Sequence, residues 1–141
     1  MEWFDGLGEL DWVAVAVATV ASYVLGFAWY SWSLFGKSWA GALGMTKEQA
    51  DDTEGMGAAF VVSLVAGVAK VIVLGLLMAA TDTTGFGEGM LFGAIVGVAL
   101  IASSVAYHNG FSRLPSTLTV IDSAHDIVEA AMIGAIIGQI G

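Results

Sequence analysis

Apolar residues in this chain come in long unbroken runs; they neither alternate with polar ones nor recur along a single narrow stripe. Three stretches, 12–32, 58–80 and 118–140, and a shorter one, 90–107, are apolar and long enough to cross a bilayer. A hydrocarbon core about 30 Å thick takes about 20 residues of helix. Helices fit because every backbone N–H then finds its acceptor within the segment. Barrel strands would alternate, and Phe60-Val61-Val62 and Val71-Ile72-Val73-Leu74 do not. The pattern predicts an all-α fold: an integral membrane bundle of four transmembrane helices, in a single domain over 1–141, surrounded by lipid.

The segments between the runs carry border signals. All five Trp (Trp3, Trp12, Trp29, Trp32, Trp39) fall where span one enters and leaves the bilayer, as amphipathic rings prefer. The stretch 34–43 reads as a short interfacial helix with Phe35, Trp39 and Leu43 on one side, ending at Gly44. Thr46-Lys47-Glu48-Gln49 has the capping-box spacing that opens another short helix. Pro115-Ser116-Thr117 suits the start of span four, with a proline and a hydroxyl cap.

Charge then sets an orientation. Lys37 and Lys47 lie between spans one and two, and Arg113 lies between spans three and four. In a four-span chain these loops share one side, and the positive-inside rule makes it the cytoplasmic one. Both termini and the loop with Asp82 and Glu88 fall on the non-cytoplasmic side. The N-terminal stretch holds Glu2, Asp5, Glu9 and Asp11 and no basic residue, so span one is not expected to be a cleaved signal peptide.

Composition agrees and excludes other classes. Of 141 residues 57% are hydrophobic and 12% charged, and mean hydropathy is +0.84; a soluble domain carries about 25% charged residues. With no Cys, disulfide scaffolds, thiolate metal sites and thiol nucleophiles are excluded. A formal charge of −9 makes nucleic acid an improbable partner. Ten of the thirteen acids lie outside the spans and read as a solvated surface.

Among the 19 glycines, Gly89, Gly93 and Gly97 recur every fourth residue on span three, and Gly134 and Gly138 do so on span four. Small residues at this spacing let helix backbones approach closely in lipid. These faces suit packing within the bundle or between protomers, and the expectation includes a homo-oligomer or a membrane-complex partner. No P-loop or dinucleotide-binding context accompanies the glycines, and no cofactor is expected.

Span four carries Asp122, His125, Asp126 and Glu129, whose offsets of three, four and seven put them on one face. Ionised groups at this depth are costly and must face the bundle interior, a partner or water. Lys70 is the only basic residue inside a span. At about 1.5 Å per residue it lies roughly 18 Å from the start of span two, and Glu129 roughly 16 Å from the start of span four. Both spans run in the same direction, so the two should meet near the midplane as an ion pair, with Asp126 as a second acceptor. The cytoplasmic end of span three adds Tyr107, His108 and Asn109, and Tyr30 ends span one nearby. A polar track then runs from His108 and Asp122 through His125 and Asp126 to Lys70 and Glu129. It stops there, because Met132, Ile133 and Ile136 follow. This asymmetry describes a half-channel, and histidine beside carboxylates suits a proton relay.

A metal alternative, zinc or iron, would use His108, Asp122, His125 and Asp126; Asp122-x-x-His125 is half of the pairing found in di-metal bundles. Hydrolase motifs are absent: there is no Gly-x-Ser-x-Gly and no His-Glu-x-x-His.

The run Leu25-Gly26-Phe27-Ala28-Trp29-Tyr30-Ser31, followed by Leu34-Phe35-Gly36-Lys37-Ser38-Trp39 and Leu43-Gly44, resembles the N-terminal signature of small prokaryotic membrane proteins, domain-of-unknown-function family 1761. The resemblance covers nearly the whole chain and implies a fold and a membrane location, without an activity. Two departures stand out. Trp32 sits where the family often has proline, and Ile121-Asp122-Ser123-Ala124-His125-Asp126 replaces its Ile-Asn-Ala-Gly-Tyr-His.

The residues therefore predict a polytopic cell-membrane protein that is not an enzyme, most specifically a small ion- or proton-coupled transporter. The competing expectations are an accessory subunit whose charges only hold helices together, and a membrane-embedded metal-dependent enzyme.

Overall fold

The computed structural model describes residues 5–141, so Glu2 and Trp3 of the acidic, Trp-flanked N-terminus lie outside the described residues. Among the described residues, all regular structure is helical. A single turn, α1 (Gly6–Glu9), precedes α2 (Trp12–Trp29). Asp11 starts α2 by accepting from the amides of Val13 and Ala14 at 2.8 and 3.1 Å, which satisfies two of the donors that a helix start leaves open. Two short helices follow, α3 (Gly36–Ala42) and α4 (Lys47–Asp51), then the long α5 (Gly57–Ala80). Next come α6 (Phe86–Val96), a π-helical stretch (Gly97–Ala102) and α7 (Ser103–Phe111), joined end to end as one rod of 26 residues. The last helix is α8 (Ser116–Ile140).

Three of these, Trp12–Trp29, Gly57–Ala80 and Phe86–Phe111, are long and apolar enough to cross a membrane. With 25 residues α8 is also long enough, but Asp122, Asp126 and Glu129 break its apolar run. Its position compensates: α8 is the central helix, packed against α2, α3, α5 and the whole α6–α7 rod.

The α6–α8 seam is the closest in the molecule, and glycine makes it so. A methyl at Gly89 would collide with the Gly134 carbonyl oxygen, and one at Gly93 with that of Ala130. Gly97 abuts Ile127, and Gly138 abuts Gly85, whose amide donates to the Gly138 carbonyl at 2.7 Å. The five glycines of the two stripes thus pack inside the chain, the first of the two arrangements that their spacing allows.

Val15 and Ala18 of α2, Val71, Leu74 and Met78 of α5 and Ile133 of α8 form the buried core. Contacts fix which ends go together. Trp29 donates its indole N–H to the Ile121 carbonyl at 3.2 Å, near the start of α8, so α2 and α8 are antiparallel. Gly141 reaches Asp11 and Gly138 reaches Gly85 at the opposite end. Lys37 and Arg113 consequently sit at one end of the bundle, and residues 81–85 and the C-terminus at the other.

Local expectations fare unevenly. The capping box of Thr46 and Gln49 forms in both directions, at 3.2 and 2.9 Å. Lys47 pairs with Asp51 one turn on at 2.5 Å, and that carboxylate holds its ammonium above the ordinary lysine value. Gly44 ends α3 with φ +69°, a left-handed conformation natural to glycine. The inner face of α3, however, is Gly36 and Ala40, while Phe35 and Leu43 stay exposed. A side chain at Gly36 would strike the Tyr30 and Ser31 carbonyls, so the helix lies too close for bulk there. Ser116 begins α8 after Pro115, but no side chain caps it.

Candidate functional site

The polar residues of α8 divide between two spaces: His125 and Glu129 face α2 and α5, and Asp122 and Asp126 face α3, α4 and α7. Glu129 is buried and paired with the ammonium of Lys70 from α5, as the parallel run of those helices predicts. Among the described residues, Lys70 makes this ion pair alone; Asp126 is not its second acceptor. One turn separates Asp126 from Glu129, and Asp126 instead faces the Lys37/Arg113 end. There it lies 3.2 Å from His125 Nδ1. Either partner can donate in this contact: Nδ1–H to a carboxylate, or a protonated Asp126 to Nδ1. Nε2 is buried and has no protein partner.

Two cavities lie on either side of Tyr30, and the imidazole lines the first of them. The first, about 410 Å³, lies between α2, α5 and α8 and is lined by Thr19, Ser22, Tyr23, Gly26, Phe27, Tyr30, Phe60, Ser63, Ala66, Gly67, Lys70, His125 and Glu129. The second, about 660 Å³, lies at the Lys37/Arg113 end, with Tyr30, Trp39, Asp51, Asn109, Asp122 and Asp126 in its walls. Tyr30 belongs to both, and its hydroxyl donates to Asp122 Oδ1 at 2.6 Å. Trp29 and Tyr30 stand around the His125 ring, with centroids 5.9 and 5.3 Å away. Beyond Glu129 the space closes on Val71, Leu74 and Ile133, all buried and apolar.

The polar groups at the end of span three part company. Asn109 turns inward and donates to Thr119 at 3.2 Å. Tyr107 and His108 are exposed and stack on one another, centroids 4.3 Å apart. His108 therefore does not reach the acids of α8, and the polar track starts at Asp122. The π-helical stretch just upstream is the reason. Its i→i+5 bonding puts an extra residue into the turn and rotates α7 away from the face that a 3.6-residue period projects.

A scan of family models matches residues 13–138 to a protein of unknown function, DUF1761. The chain belongs to this family. Neither a curated protein nor a solved structure matches it significantly.

In this DUF1761 protein the groups able to converge on a metal are also redrawn. His125, Asp126 and Glu129 each offer a ligand atom within 4.8 Å of the others. His108 is remote, and Asp122 is engaged by Tyr30. Zinc bonds of about 2.0–2.2 Å would place tetrahedral ligand atoms roughly 3.4 Å apart, and Lys70 would have to release Glu129. Sequence spacing left Tyr23 unmarked, although its hydroxyl is buried without a partner beside the first cavity. Its signal is the stripe Thr19, Ser22, Tyr23, Gly26 and Tyr30, a small or polar face at helical spacing along span one.

Proposed function

We propose that this DUF1761 protein crosses the cell membrane four times, with α8 as the fourth span, and works as a small proton-coupled transporter. The Lys37, Lys47 and Arg113 loops are cytoplasmic and both termini lie outside, in keeping with the positive-inside rule. One observation carries the reading: His125 lines the Lys70–Glu129 cavity with Nε2 unpartnered, and its Nδ1 contacts Asp126, which lines the second cavity.

Protons enter from the cytoplasmic end by way of Asp122 and Asp126. A protonated Asp126 delivers to Nδ1 of the His125 ring in the tautomer that carries its own proton on Nε2. The imidazolium then releases the Nε2 proton into the cavity, and return of the remaining proton from Nδ1 to Nε2 resets the ring. The Lys70–Glu129 pair terminates this half-channel, and the apolar contacts of Val71, Leu74 and Ile133 seal it from the far side. A second copy of the chain, if it binds, docks on a face other than the glycine stripe, which α6 and α8 use on each other.

The natural absence of cysteine makes the test direct. In oriented membrane vesicles, Asp126→Cys reacts with a charged, water-soluble thiol reagent applied from the Lys37/Arg113 side and not from the other. Ile133→Cys reacts from neither. An accessory subunit whose charges only lock helices together would leave Asp126→Cys unreactive from both sides.

A further inference from the structure

We propose that the cavity between α2 and α5 is a binding site for an organic cation with a hydrophobic body, admitted sideways from the bilayer. The inference names a substrate class for the transporter proposed above and rests on that reading only for the word substrate; the binding itself stands on shape and charge.

Shape comes first. Helices α2 and α5 are packed together where Val15 and Ala18 meet Val71, Leu74 and Met78, and they part toward the Lys37/Arg113 end. There every residue of α5 from 57 to 66 is exposed, and Gly67 rests against the Tyr23 hydroxyl. The result is a wedge open to lipid, with exposed Phe27 and Phe60 in its walls and the Lys70–Glu129 pair at its apex. Its volume of about 410 Å³ falls in the range of small-molecule sites, roughly 300–1,000 Å³. The mouth faces hydrocarbon, so the visitor must itself dissolve there.

Charge and chemistry select its sign. Glu129 stands at the apex with Asp126 within 4.8 Å of it, two carboxylates against the single ammonium of Lys70. An anion entering here meets a carboxylate excess, and a cation is drawn in. Tyr23, Phe27, Tyr30 and Phe60 all line the wedge, and the faces of such rings attract cations at short range. Lys70 is the resident cation with which an incoming one competes for Glu129.

Two probes of the same shape and opposite charge decide the matter: tetraphenylphosphonium and tetraphenylborate, titrated calorimetrically into the full chain in lipid nanodiscs. Tetraphenylphosphonium binds saturably, one per chain, and tetraphenylborate only partitions into lipid. Ser63→Trp, which fills the wedge from the exposed side of α5, weakens tetraphenylphosphonium on the order of tenfold or more. Lys70→Met, where it folds, tightens it by a similar factor by removing the competing charge. Equal or stronger binding of tetraphenylborate, absence of saturable binding by either probe, or unchanged affinity in Ser63→Trp overturns the proposal. Side-specific labelling of Asp126→Cys without tetraphenylphosphonium binding retains the transporter and discards the substrate class. Binding without labelling does the reverse.

Discussion

At the scale of residues, Lys70 and Glu129 decide whether the centre of the bundle is tolerable. Glu129 is buried and Lys70 partly so, and losing one member of a buried pair leaves a charge without compensation. Glu129→Gln and Lys70→Met should each lower stability, at the lower end of the roughly 3–5 kcal/mol seen for buried pairs, because the lysine keeps some exposure. The double variant should lose less than either single one. Thermal unfolding of the four proteins in one detergent measures this cycle, and additive losses would show that the two groups are energetically independent. The pair could be located in advance because two apolar runs of the same direction fix depth by simple counting. Tyr23 could not, because its role depends on how far α5 leans from α2, a property of tertiary packing that no single run encodes.

Among the elements, the α6–α8 seam holds the bundle together and α5 is its loosest member. Gly93 has the Ala130 carbonyl oxygen where a methyl would sit, whereas nothing lies near a methyl at Gly87 on the same helix. Gly93→Ala should therefore cost about 1–3 kcal/mol or more through overpacking. Gly87→Ala should be neutral or stabilising by up to about 1 kcal/mol through helix propensity. Resistance to unfolding in mixed detergent and dodecyl sulfate ranks them, and equal loss at both sites would deny the close approach. The glycine stripes were visible as spacing, but spacing alone does not say whether the partner helix is in the same chain. The fate of His108 was hidden for another reason: the π-helical stretch at Gly97–Ala102 has no marker in its apolar sequence, and it turns the face of α7 outward. For the capping box of Thr46 and the stop at Gly44 the chemistry is local, and there the residues alone were sufficient.

For the whole molecule, the central question is how a helix with three carboxylates sits among apolar ones. Its place in the middle answers it: α2, α5 and the α6–α7 rod surround α8, their exposed valines, leucines and phenylalanines face outward, and the acids point at Lys70, Tyr30 and His125. The same arrangement makes one end of the bundle polar and the core beyond Glu129 apolar, the asymmetry on which the proposed proton path relies. Whether α8 crosses the membrane is accordingly the claim beneath all others. Single cysteines placed at Arg113 and at Gln139, just before α8 and near its end, test it in intact cells and inside-out vesicles with a membrane-impermeant thiol label. Arg113→Cys should react only from the cytoplasmic face and Gln139→Cys only from the opposite one; labelling of both from the same face would contradict the account.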